Sequence, residues 1–190
     1  MKLNSFPVLD KGSVTYVDVS LPAKKMNKVS HDFFRAKLDR KLISFSSATM
    51  IVKAPVFVIL HLINEYDLSV LNVIPDANHQ IECYIPNESE ISASDVNTSK
   101  DIKDHMKQTS ESLVLTQEGY KKDGCDHFVA QVNMPLSVYN EVVISGSLDK
   151  WLRFLKAKQL PKPLESYRET IYDVLKADFP NINVLMGRVI

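Results

Sequence analysis

The 190-residue chain is poor in glycine, with five, and in cysteine, with two. So few glycines leave no Walker-type phosphate loop, no GxGxxG turn and no nucleophile elbow, the glycine-dependent devices that cradle phosphate or expose a strained serine. Cys83 and Cys125 stand far apart, without the spacing of a metal or redox pair, and read as two small buried hydrophobes. His79, His105 and His127 show no metal-ligand spacing with acidic or cysteine partners. An excess of one charge is also missing: Lys and Arg total 23, Asp and Glu total 23. Sequence-independent binding to nucleic acid rests on a basic excess, so nucleic acid is not an expected partner. No apolar run approaches the ~20 residues of a membrane span, and Met1 to Leu21 alternates polar and apolar residues where a signal peptide would not. A membrane is therefore not expected, and the expected location is cytoplasmic.

What is there is an ordinary globular composition, with 45% hydrophobic residues and nine prolines. The length suits one domain over residues 1–190, since a single core extends to about 250 residues. Residues 13–20, SVTYVDVS, alternate with period 2 and predict a half-buried strand after the turn LDKG. Ser30 predicts the cap of a helix of about twelve residues. SATMIVK, 47–53, reads as a strand. Pro55 then opens a helix to about Glu65, with Val56, Ile59, Leu60 and Ile63 on one face. Residues 67–86 read as loop-rich until IECYIP, which has strand character. Ser94 or Asp95 predicts the cap of a long helix to about Tyr120, with a thin apolar stripe of Ile102, Met106, Leu113 and Leu115. A stripe so thin suggests burial against another subunit. Asp123-Gly124 breaks the chain, and a short helix before Pro135 leads to a strand. Ser145, Gly146 and Ser147 join that strand to a helix from Ser147 to about Lys158, whose Trp151, Phe154 and Leu155 fall at core spacing. The last helix, 163–178, carries Tyr167, Ile171, Val174 and Leu175 on one side.

Three segments together resemble the flavin-dependent thymidylate synthases: KAPVFVILHL, AQVNMPLSVYNEVVISGSLDKWLRFL and YRETIYDVLKADFP. LDKGSVTYVDVS is a weaker match. The resemblance implies an α/β (mixed α+β) fold assembled as a homotetramer, with FAD held between subunits and dUMP beside the flavin. It further implies one-carbon transfer from methylenetetrahydrofolate to the uracil ring, with flavin reduced by NADPH.

The positions that carry the family's chemistry depart from its pattern in one direction. The signature Arg-His-Arg-x-x-Ser falls on Asn64, Glu65, Tyr66, Asp67, Leu68 and Ser69, which keeps only the serine. The Arg-Tyr that follows falls near Asp76 and Ala77, and the arginine before the Leu-Pro turn is Gln131. On the later site helix one arginine is Asp149 and the other Lys158, while Ser147 stands where asparagine is usual. Arg168 is retained, and Ser166 replaces the polar residue before Tyr167. A charge-assisted hydrogen bond from arginine is worth roughly 1.5–3 kcal/mol. Losing four of them, even at half weight, weakens binding by roughly 10²–10⁴-fold at about 1.4 kcal/mol per decade. A carboxylate at Asp149 or Glu65 repels phosphate as well.

Carried over residue by residue, the resemblance makes Ser69, Lys158 and Arg168 the substrate-binding candidates and His61 and Ser147 the cofactor-binding ones; no catalytic residue is assigned. Three have a plainer reading: Ser69 as a turn group, His61 as a satisfied or exposed helical histidine, Lys158 as a solvated partner of a helix C-terminus. Two functions stay open. One is an enzyme acting on a pyrimidine nucleotide with altered or reduced activity. The other is a non-catalytic descendant that binds or regulates as an oligomer.

Overall fold

The computed structural model describes residues 4–20, 46–74, 81–91 and 95–178, with Ile182 and Met186. The helix expected after Ser30 lies outside them, as do Ser94, Asp76, Ala77 and His79.

Five antiparallel strands form one sheet in the order β1-β2-β3-β5-β4. They are β1 (Ser5–Val8), β2 (Gly12–Ser20), β3 (Ser47–Pro55), β4 (Ser69–Ile74) and β5 (Tyr139–Ser147). The alternation in 13–20 and 47–53 does what period 2 demands. Val14, Val19, Ala48, Met50, Val52 and Ala54 are buried on one face, while Ser13, Asp18, Thr49 and Lys53 lie on the other. A bulge between Tyr16 and Asp18 in β2 shifts the pairing by one residue. Two strands depart from expectation. β1 was not anticipated, and β4 occupies part of the stretch read as loop. Conversely, IECYIP forms no strand and contributes a single bridge, Cys83 to Val138.

α1 (Val56–Tyr66) follows β3 directly. Its first free N–H groups are met by main-chain carbonyls: Val56 donates to Val138 and Phe57 to Leu136. It ends at Asp67, in the left-handed region at φ 55. α2 (Val96–Lys122) is capped by Asp95, whose carboxylate accepts from the Thr98 N–H at 2.9 Å. Its expected stripe is corrected. Met106 and Leu115 are exposed, and the buried residues are the polar Ser99, Ser110 and Gln117. α3 (His127–Ala130) is a single turn. α4 (Leu148–Leu155) stops before Lys158, and α5 (Lys162–Asp178) closes the chain.

α1, α4 and α5 cover one face of the sheet. Trp151, Leu152, Phe154, Tyr167, Ile171 and Leu175 join Met50, Val52 and Ile144 in one core, as the helical spacing predicted. The Trp151 indole N–H donates to the Ala48 carbonyl at 3.1 Å, which ties α4 to β3. The cysteines are a second correction: Cys83 and Cys125 are half-buried free thiols. Burial pushes the Cys83 thiol up.

Candidate functional site

At the far end of β5 the sequence Ser145-Gly146-Ser147 alternates, and each residue faces where a strand must put it. Gly146 turns toward the helices, where a Cβ would stand 2.3 Å from the Leu68 Cδ2. Ser145 and Ser147 therefore turn to the other face. Ser145 lies between Thr49 on β3 and Ser69 on β4, and the Thr49 hydroxyl donates to the Ser145 hydroxyl at 3.0 Å. Ser147 pairs with Ser47 and sits at the N-cap of α4, yet its side chain makes no capping bond. These groups make a shelf of hydroxyls on the sheet face away from α1, α4 and α5. Ser69 is thus an exposed strand residue on that shelf, in contrast to the turn group its local sequence suggested.

The remaining candidates lie on the helical side. The His61 ring meets Tyr66 edge-on at 5.8 Å between centroids, and Tyr66 meets Phe154 at 5.1 Å. Burial raises the Tyr66 phenol, with Glu65 adding to the shift and Arg168 opposing it. Asp67, just past α1, binds Lys150 of α4 at 2.6 Å, and Lys150 also donates to the Asp67 carbonyl at 2.7 Å. That hydrogen bond and the ammonium charge hold the Asp67 carboxyl below the usual carboxylate range. Arg153 donates to the Tyr66 carbonyl at 3.4 Å.

Arg168 on α5 lines a groove of 460 Å³ with Leu155, Glu169, Tyr172, Asp173 and Met186. Its guanidinium donates to the Ala157 carbonyl at 2.7 Å and to Glu165 at 2.8 Å. Ala157 directly precedes Lys158 in the chain. Lys158 is exposed in a bend beyond α4 and is not helical. With Glu165, Glu169 and Asp173 around it, Arg168 sits among more carboxylates than cations. Asp149 stands in the first turn of α4, where the helix dipole favours negative charge, with its Oδ1 buried and without a hydrogen-bond partner.

The five candidates therefore divide between the two faces of the sheet. Ser69 and Ser147 share the hydroxyl shelf, while His61, Lys158 and Arg168 belong to the helical side. His61 and Ser147, the two cofactor candidates, do not meet within one chain. Lys150, which precedes Trp151 on α4, is already paired with Asp67. A single chain thus does not fit the pyrophosphate of FAD at these residues. Among the described residues no cluster of His, Cys, Asp and Glu could hold a metal, and no helix is long and apolar enough to cross a membrane. Sequence reasoning missed Thr49, Ser145, Lys150 and Tyr66. The period-2 spacing of Ser145 and Ser147 was the available signal for the shelf; the others are set by pairing across the sequence.

No family model and no curated protein matches the chain. Solved structures do. The chain is similar to the UMP/dUMP methylase PolB from Streptomyces cacaoi bound with 5-Br dUMP, at a TM-score of 0.68 and 16% identity, over 88% of this chain and 90% of that one. Against the same methylase bound with 5-Br UMP the TM-score is 0.66 and the identity 14%, over 90% and 92% of the two chains. The shared property is the fold, an arrangement of antiparallel sheet and helices.

Proposed function

We propose that the protein is a nucleotide methyltransferase-like protein that binds a uridine nucleotide, dUMP or a close relative, for one-carbon transfer at the pyrimidine ring. The observation that carries this reading is the match of nearly the whole chain to two structures of a methylase that hold 5-bromo uridine nucleotides. The hydroxyl shelf suits it chemically, because Thr49, Ser145, Ser147 and Ser69 can both donate to and accept from a ribose or a pyrimidine edge. Ser69 from one chain and Lys158 and Arg168 from another are the substrate contacts in this reading, because they occupy opposite faces of one sheet, and grip is reduced by the carboxylates around Arg168.

Methylenetetrahydrofolate as donor, NADPH as reductant and FAD as the redox cofactor belong to the same proposal. FAD contact by His61 and Ser147 requires two chains, His61 from one and Ser147 from another, since they occupy opposite faces of one sheet. That is the reason for proposing a homo-oligomer, with a tetramer as the expected form. Light scattering tests it: a mass of one 21.5 kDa chain removes the shared site.

The second reading, a non-catalytic oligomeric binding or regulatory protein, is favoured by one observation: the guanidinium of Arg168 is occupied by Ala157 and Glu165. Purified protein separates the two. Yellow protein that releases flavin on denaturation, followed by dUMP-dependent release of tritium from the uracil C5 position, supports the enzyme. Colourless protein that takes up no FAD supports the second reading.

A further inference from the structure

A cavity of 410 Å³ opens at the other end of the sheet, between α2 and the body of the fold. Its Cys83 bridges Val138, which lies just before β5 and seven residues before Ser145, so at ~3.3 Å per residue it stands about 23 Å from the near edge of the hydroxyl shelf. Ile81, Ile85, Val114 and Leu115 give it apolar walls, with Lys11, Lys107, Ser110, Glu111 and Cys83 supplying the polar groups. Its size and its mixture of aliphatic wall and few polar groups are those of a small-molecule pocket.

We propose that this cavity binds an amphipathic monoanion, an aliphatic carboxylate whose head meets Lys11 and Lys107 and whose chain lies along Ile81, Ile85, Val114 and Leu115. The two lysines approach from different elements, Lys11 from the β1–β2 turn and Lys107 from α2, so a carboxylate between them is held from both sides. Lys107 has only a loose competitor: Glu111 lies 4.0 Å away, with both side chains more than half exposed. An exposed pair of that kind contributes little and yields readily to a better-placed anion. The thiol of Cys83 lies within reach of the Ser110 and Ser137 hydroxyls and feels the charge of Lys11, which places it beside the head group.

Occupancy would also fasten α2. This helix is otherwise held by the turn at Glu88–Glu90 and by α3, with Lys103 and Glu88 4.0 Å apart and the Ser99 hydroxyl donating to Ile91 at 3.5 Å. A ligand wedged beneath Val114 adds apolar contact where the helix now offers Ser110 and an exposed Leu115.

The test uses the full chain, octanoate as probe and alkylation of Cys83 followed by mass spectrometry, with Cys125 as internal reference. Octanoate should slow Cys83 modification saturably and leave Cys125 unchanged, and octylammonium should protect poorly. Lys11→Ala and Lys107→Ala should each raise the octanoate concentration needed by about tenfold, the equivalent of one charge-assisted hydrogen bond. Both lysines lie at the surface, so circular dichroism should report unchanged folding. Equal protection by octanoate and octylammonium would overturn the proposal, as would no protection by either, or protection indifferent to both substitutions.

Discussion

Arg168 reaches from α5 to the main-chain carbonyl of Ala157, at 2.7 Å, and so closes the exit of α4 with the guanidinium expected to meet a phosphate. A carbonyl past a helix end carries part of the negative pole of that helix and is an ordinary partner for arginine. Glu165, one turn earlier on α5, takes a second N–H of the same group. A nucleotide phosphate at Arg168 must compete with both.

Replacing Glu165 by Gln removes the charged competitor and keeps the carbonyl contact. The pair is partly exposed, in the class worth about 0.2–1 kcal/mol, so dUMP affinity should rise by roughly 1.4- to fivefold. Calorimetric titration of the two proteins checks it, and equal affinities would show that the phosphate lies elsewhere. Arg168→Ala should lose nucleotide affinity and also about 1 kcal/mol of stability, because the Ala157 carbonyl loses its donor.

Gly12 and Gly146 separate a rigid close approach from a soft one. A Cβ at residue 12 would lie 2.1 Å from the Tyr167 hydroxyl oxygen, 2.7 Å from the Val8 carbonyl and 2.9 Å from the Lys53 carbonyl. Two of these are backbone atoms, so Gly12→Ala should cost about 2–3 kcal/mol, and adding Tyr167→Phe should recover only part of it. At residue 146 the close atom is the movable end of Leu68, so Gly146→Ala should cost about half as much. Denaturant midpoints rank the variants; full recovery by Tyr167→Phe would refute the backbone argument.

Trp151 is fully buried and holds the Ala48 carbonyl through its indole N–H. Trp151→Phe removes both volume and donor and should destabilise by about 2–4 kcal/mol. A change near zero would mean that α4 is not anchored to β3 in this way.

The pH dependence of stability has a contribution from Asp67. Lys150 depresses its folded pKa, so its contribution is present above the ordinary carboxylate range and is lost as pH falls through the depressed value. Asparagine tolerates the left-handed conformation at this position, so Asp67→Asn isolates the charge from the backbone. The variant should be less stable than the parent at neutral pH, and the gap should close in acid as pH falls through the depressed value and the parent carboxyl is protonated. A gap that persists unchanged into acid would assign the effect to something other than this pair.

Much of the frame could be read from the chain because its signals are local. Pro55 before an apolar run marks the start of α1, although its buried face is Val58, Ile59 and Leu62 and the expected Leu60 is exposed, and the alternation in 13–20 and 47–53 marks β2 and β3. β4 escaped because it is an exposed edge strand with a bulge between Val70 and Asn72, which destroys the period-2 pattern. Its start is hidden as well, since the reversal depends on Asp67 at positive φ where glycine would have announced it. IECYIP misled in the other direction: its composition suits a strand, and its backbone bonds at Glu82 and Tyr84 close only one isolated bridge, at Cys83. For the site, the loss of arginines at Asn64, Tyr66 and Asp149 was visible, and so was the i, i+3 relation of Glu165 and Arg168. What local sequence does not encode is the division of the candidates between two sheet faces. That follows from the pairing of Ser69 with Ser145 and from the packing of α1, α4 and α5, which are relations between distant segments.

The most direct measurement is calorimetric titration of the full chain with dUMP and UMP, each compared with its nucleoside. Saturable binding of a nucleotide, only a few-fold tighter than the nucleoside and strengthened by Glu165→Gln, is the result expected of a uridine-nucleotide site whose guanidinium is partly occupied. No binding of either nucleotide at millimolar concentration would contradict it.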